Sequence, residues 1–265
     1  CDEHDHASII DGRRLSFSTY LKYKHDEMAS LEEQLKKCEP DRVKLIVTDG
    51  VFSMEGDVCN LPEICDLARK YKAAVMVDEA HSIGVFGEGG RGVCNHFGLS
   101  DEVDLIMGTF SKSFASLGGF IACDETITNF LRHHSRSYIF TASITPASTA
   151  AVDAALDIML NEPERQEQLW KVTHYALDGF RAMGCEIGNT STPIIPLYIR
   201  DQNKTFAITA ELLNEGIFVN PVVSPAVAPQ DTLIRYSLMA THTKEQVDFS
   251  LEKIQKVFRK YGVIK

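Results

Sequence analysis

No stretch of this sequence is apolar for long enough to cross a bilayer, and no leader-like segment opens it. Positive charge is scarce as well. Lysine and arginine total 27 against 37 aspartates and glutamates, a formal net charge of −10. Nucleic-acid binding needs a basic face, so that class is excluded as the main role. An anionic small molecule held by a local cation is not excluded. Cysteine pairing is also missing: the seven cysteines are odd in number and contain no CxxC. That spacing fits neither a disulfide framework nor a structural zinc site, but it fits the reduced thiols of a cytoplasmic protein. Repeats and low-complexity tracts are absent. The opening, Cys1-Asp2-Glu3-His4-Asp5-His6, reads as the interior of a domain. An N-terminal part is expected to precede it.

What is present is an alternation of short apolar runs with helical patterns. Val43–Thr48, Ala73–Asp78, Val103–Gly108 and Gly119–Cys123 read as buried strands. Leu61–Tyr71 reads as a helix with Asn60 as N-cap and Pro62 in its first turn. Such strands, separated by helices, imply an α/β fold with a mainly parallel sheet covered on both faces. Long helices are expected at Ser148–Leu160 and Arg165–Met183. The texture then changes. Short strands at Pro193–Ile199, Ile217–Val219 and Leu233–Leu238 mix with helices at Lys204–Glu215 and Lys244–Arg259. We therefore expect a large domain over 1–171 and a smaller α+β domain over 172–265.

Ligands of open α/β sheets bind beyond the carboxyl ends of the strands. Asp49, Asp78 and the run Thr109–Lys112 all fall there. Asp78, in Asp78-Glu79-Ala80-His81, ends an apolar strand and stays charged only beside a cation. The pyridinium nitrogen of pyridoxal 5′-phosphate (PLP) is such a cation, and a metal ion or a Walker-B-like role is the alternative. Lys112 lies among Thr109, Phe110, Ser111 and Ser113, where partial desolvation would lower its pKa and favour imine formation. The hydroxyls of Thr109 and Ser111 suit a phosphate. Ser53 follows the first strand in a turn-rich loop, Asp49-Gly50 to Asp57.

Three further features carry two readings each. Gly87-Glu88-Gly89-Gly90-Arg91-Gly92 satisfies G-x-G-x-x-G, but the preceding strand ends too early and no clear amphipathic helix opens at Gly92, so it reads as a loop. His4 and His6 fall on one face if the segment is extended; they suit a metal, a solvated surface or stacking on an aromatic cofactor. Arg235, in a strand-like alternation, suits a bidentate grip on a carboxylate or an edge-strand surface.

Together these pieces resemble the α-oxoamine synthase family of fold-type I PLP enzymes. The stretches that carry the resemblance are HASIIDG at 6–12, VTDGVFSMEGD at 47–57, VDEAHSIGVFGEGGRG at 77–92, GTFSKS at 108–113, FTAS at 140–143 and RYSLMATHT at 235–243. The resemblance implies condensation of an amino acid with an acyl-CoA, with loss of carbon dioxide. Lys112 resembles the lysine that carries the cofactor, Asp78 the partner of its ring nitrogen and His6 the histidine stacked on its ring. Ser53 and His81 are implied at the ring hydroxyl, and Thr109 and Ser111 at the phosphate. Thr141 is implied at the phosphate of a second subunit, and Arg235 at the substrate carboxylate. His6 and His81 are also the implied catalytic hydrogen-bond donors, and no metal is assigned.

GTFSKS followed by LGGF, together with DEAHS and YIFTAS, most resembles members that join L-serine to a long-chain acyl group. Members using alanine or glycine are the alternative. Val223 stands near where some members have an arginine, which shifts the carboxylate to Arg235. The resemblance implies a homodimer with sites at the interface, and a lipid product would bring peripheral contact with a membrane. It also implies an N-terminal portion that helps hold the phosphate, so these 265 residues alone are expected to hold PLP weakly. A catalytically silent partner subunit is opposed by the retention of Lys112, Asp78 and His81. An unrelated nucleotide-binding protein is opposed by the lack of a phosphate loop opening a helix.

Overall fold

A computed structural model describes residues 1–265, which divide into two compact units. The first comprises 1–52 and 59–163, the second 53–58 and 164–265. The division therefore falls ahead of the long helix that starts at Glu164, not inside it as expected from the sequence. That helix buries Leu169, Val172, Ala176, Leu177 and Phe180 in the second unit's core.

The first unit opens with α1 (Ala7–Ser16) and α2 (Met28–Lys36), followed by β1 (Leu45–Asp49), α3 (Leu61–Tyr71) and β2 (Ala74–Asp78). A single turn, α4 (Val93–His96), precedes β3 (Leu105–Thr109) and β4 (Gly119–Cys123). Then come α5 (Glu125–His134), α6 (Arg136–Ile139) and α7 (Pro146–Asn161). The sheet order is β1-β2-β3-β4, the first three parallel and β4 antiparallel to β3. The core side of β1 and β2 buries Ile46, Val75 and Val77 with Leu61, Ile64 and Ala68 of α3 and Leu31 and Leu35 of α2. α3 begins as its cap predicts, with Asn60 Oδ1 accepting from Glu63 N–H. The continuous apolar strands imply cover on both faces, yet β4 has no buried residue and Leu45 of β1 is 49% exposed.

The second unit starts with α8 (Glu164–Ala182) and β5 (Ile194–Tyr198). It continues with α9 (Gln202–Asn214), β6 (Asn220–Val222), β7 (Leu233–Ser237) and α10 (Lys244–Lys260). Its antiparallel sheet, ordered β5-β7-β6, packs Ile195, Leu197, Leu233 and Ile234 with Ile208, Leu212, Ile254 and Phe258 of the helices. β6 lies beyond the run Ile217–Val219, because the bonds to β7 begin at Asn220↔Arg235. The segment 53–58 joins this unit through Gly56. Its carbonyl accepts from Thr190 Oγ1 at 3.0 Å, its φ is +70°, and an added Cβ would lie 2.1 Å from the Ile194 carbonyl oxygen. No helix in either unit is long and apolar enough to cross a membrane.

Candidate active site

The parallel register brings the polar strand ends of the first unit together. Asp49 and Asp78, the last residues of β1 and β2, are partners across the strand pair. Both are nearly sealed from solvent, at 4% and 5% exposure. The ladder runs one residue further, with Gly50 N–H donating to the Asp78 carbonyl and Glu79 N–H to the Met107 carbonyl, each at 2.8 Å. Asp78 Oδ1 accepts from Ala80 N–H at 2.9 Å. A groove of about 980 Å³ on the sheet is lined by Met76, Asp78 and Met107 together with Arg13, Tyr20 and Leu35. Asp78 is therefore buried by protein yet borders a space large enough for a small ligand.

A third buried carboxyl, Asp5, completes the group. Its Oδ1 accepts from Asp49 N–H at 3.0 Å, and Asp49 Oδ2 accepts from His6 N–H at 3.1 Å. Asp5 Oδ2 has no hydrogen-bond partner. Burial, then the Asp5 and Asp78 carboxyls, push Asp49 up to about 8, against the opposing pull of His6 N–H and Lys112. Burial likewise pushes Asp5 up to about 7. Three carboxyls set this close in a poorly hydrated pocket favour a bound cation.

His6 is the N-cap of α1, not part of an extended face shared with His4. Its Nδ1 accepts from Ser8 N–H at 3.3 Å and lies 2.8 Å from Ser8 Oγ, which leaves the neutral ring's proton on Nε2. The ring is exposed. His4 instead stacks on His25, with centroids 4.3 Å apart, and His25 Nδ1 lies 3.0 Å from Asp2 Oδ1. No group of three or more metal-ligating side chains forms there or elsewhere.

Lys112 is exposed, where its apolar neighbours suggest partial desolvation. The reason is the turn that follows β3. Ala115 N–H bonds to the Lys112 carbonyl at 2.9 Å and Ser116 N–H to that of Phe110 at 2.8 Å. Phe114 takes the buried position, edge-on to Phe110, and Lys112 stays exposed. Ser113 Oγ ties this turn to the Ile83 carbonyl at 2.7 Å. Thr109 Oγ1 and Ser111 Oγ lie 2.9 Å apart, and Ser111 N–H donates to Thr109 Oγ1 at 3.3 Å. The first unit thus gathers two hydroxyls and an amine just past the end of β3.

His81 is half-buried in the loop after β2. The glycine-rich stretch that follows does open a helix, the single turn α4, which the sequence did not predict. Glu79 consumes its first amides: Oε2 accepts from Val93 N–H at 2.8 Å and Oε1 from Cys94 N–H at 2.7 Å. Glu79 is fully buried and also accepts from Ser82 Oγ. At Gly92, φ is +94° and an added Cβ would lie 2.6 Å from that carboxylate. An internal carboxylate therefore occupies the place where a dinucleotide fold receives a phosphate.

Thr141 lies exposed between α6 and α7. Ser53 and Arg235 belong to the second unit. Arg235 Nε donates to the Ser53 carbonyl at 2.6 Å and Nη1 to Ser237 Oγ at 2.7 Å. Burial lowers its pKa. These bonds use two of the five guanidinium N–H groups, so one on Nη1 and both on Nη2 are left for a carboxylate. Asp5 and Glu79 were not singled out from the sequence. Glu79 had a signal, a second carboxylate beside a strand-ending aspartate. For Asp5 the only hint was its place in an acidic, histidine-rich opening.

Residues 2–254 match the family of class I and II aminotransferases. The chain belongs to this family. It is 66% identical over 259 residues to the serine palmitoyltransferase of Bacteroides thetaiotaomicron, covering 98% of this chain and 66% of that protein. It is 45% identical to the 8-amino-7-oxononanoate synthase of Petrotoga mobilis, covering 99% of this chain and 67% of that one. Its fold matches the serine palmitoyltransferase of Sphingomonas wittichii with a TM-score of 0.96 at 34% identity, over all of this chain and 67% of the other. A serine palmitoyltransferase from S. paucimobilis, solved with a bound PLP–myriocin aldimine, matches with the same TM-score and identity over 99% and 67%. The chain thus spans about two thirds of the length of these relatives.

Proposed function

We propose that this chain binds PLP at the carboxyl ends of β1–β3, and that the whole protein condenses L-serine with a long-chain acyl-CoA, releasing carbon dioxide and CoA. The observation that carries the reading is the buried carboxyl cluster, in which Asp78 borders an open groove and Asp5 keeps an unpartnered oxygen. A protonated ring nitrogen is the cation such a group accepts. The serine-using relatives at 66% identity, against 45% for the oxononanoate enzyme, favour serine.

When bound, PLP supplies an electron sink for the carbanion chemistry at an amino acid's α-carbon. The protein's residues do the rest. Asp78 holds the ring nitrogen protonated. Lys112 would carry the cofactor and, once the amino acid's amine has displaced it, its freed Nζ would take up the α-proton. Thr109 and Ser111 donate their hydroxyls to the phosphate, and His6 presents its ring face to the pyridine. Ser53 and His81 serve the ring hydroxyl. His81 or His6 Nε2 donates a hydrogen bond where the acyl oxygen gains charge. Arg235 orients the substrate carboxylate. Thr141 serves the phosphate of a second copy in a homodimer, and the exposed Tyr138, Ile139 and Phe140 beside it suit burial against that copy. Seven free cysteines suit a cytoplasmic protein, and a lipid product would bring it to a membrane surface.

The test is an amino-acid titration of the full-length protein loaded with PLP, followed by its visible spectrum. L-Serine alone should shift the band. A response to L-alanine or glycine would move the chain to another branch of the family. A spectrum that no amino acid alters would support a catalytically silent subunit.

A further inference from the structure

Ahead of His6 the chain is held by bonds from Cys1, Asp2 and Glu3 to residues 21–26, but the helix that follows His6 has little to hold it. α1 has no buried residue, so packing of the helix does not fix its first turn. His6 is the N-cap, with φ −54° and ψ 148°, and its N–H lies outside the helical hydrogen-bond ladder. That N–H is taken by Asp49 Oδ2 at 3.1 Å, from 43 residues away. In return, the Asp5 side chain takes the N–H of Asp49 at 3.0 Å. Two adjacent residues of the opening segment are thus locked to the end of β1 by a reciprocal pair of bonds. The lock is almost dry, since Asp5 and Asp49 are each 4% exposed. Loss of a buried bond of this kind leaves an unsatisfied amide.

We infer that Asp49 and Asp5 form a clasp that positions the His6 ring at the site beside Asp78. The inference rests on the proposed placement of His6 against the cofactor ring. Asp49 is a positioning residue that acts through His6, and its carboxyl needs an acceptor oxygen, not a charge. Its raised pKa agrees, because a protonated carboxyl still accepts through its carbonyl oxygen.

The experiment is a double-mutant cycle on the full-length, PLP-loaded protein with D49A, H6A and D49A/H6A, plus D49N as the conservative variant. Three readouts are followed: kcat and KM for serine, the visible circular dichroism of the cofactor, and hydrogen–deuterium exchange of residues 1–16 without PLP. D49A should lower kcat on the order of 10–100-fold, the cost of a misplaced group. It should change the dichroism as H6A does and speed exchange of the opening segment, and D49N should recover most of all three. The double variant should be no worse than H6A alone. Should D49A fail to fold, D5A removes the other half of the clasp and enters the same cycle. Additive losses, or D49N as impaired as D49A, overturn the clasp while leaving the ring placement intact. An H6A protein with unchanged kcat and dichroism overturns both.

Discussion

Lys112 and Asp78 show how a residue's neighbours decide its chemistry. Both follow from the chain's β-strand ends, but burial separates them. Asp78 is sealed in the sheet, whereas Lys112 is exposed, with its charge still felt by the Asp49 carboxyl. Replacing Lys112 with alanine should cut turnover on the order of 10²–10⁴-fold, the span expected for loss of a positioned proton-transfer group. Steady-state kinetics on the full-length protein read this directly, and near-normal turnover would exclude Lys112 from the chemistry. The cluster also predicts a pH dependence of stability. Asp49 is raised from 3.8 to about 8 by burial and by Asp5 and Asp78, with Lys112 opposing. The folded state therefore holds this proton more tightly than the unfolded chain. The stabilisation is full at acid pH below the unfolded value and is lost as pH rises towards 8. D49N cannot ionise, so in the cofactor-free protein its melting temperature relative to the parent should rise between pH 4 and pH 8. A constant difference across that range would contradict the assignment.

At the scale of elements, much of the fold was legible, and the misses have physical causes. The α3 helix, from Leu61 to Tyr71, and the β4 strand were readable to the residue, because Asn60 and Pro62 mark one start and glycine the other. α1 was not, because a helix that buries no side chain leaves no apolar period to read. α5 was missed although Asp124 caps it and Ile127, Phe130 and Leu131 recur at helical spacing. The function of Glu79 could not be read from spacing, because its bonds to Val93 and Cys94 depend on how the loop returns. E79A would leave buried amides unsatisfied and should cost about 1–3 kcal/mol in denaturant unfolding. Stability unchanged within error would mean that water replaces the carboxylate. In the second unit, G56A places a methyl against the Ile194 carbonyl at a left-handed φ and should destabilise strongly, by about 1–3 kcal/mol or more. A G56A protein as stable as the parent would show that the 53–58 segment shifts freely.

For the whole molecule, the family and its mixed, mostly parallel sheet were legible because the motifs recur in order along the chain. The division at Glu164 was harder to see, since α8 has apolar positions that read equally well as a joint or as core. The central claim is that PLP is carried by Lys112 in the pocket that Asp78 anchors. The most direct measurement is borohydride reduction of the PLP-treated full-length protein followed by peptide mass spectrometry. The account requires the cofactor's mass on the peptide containing Lys112, and its loss in K112A. Labelling at another lysine, or none at all, would contradict it.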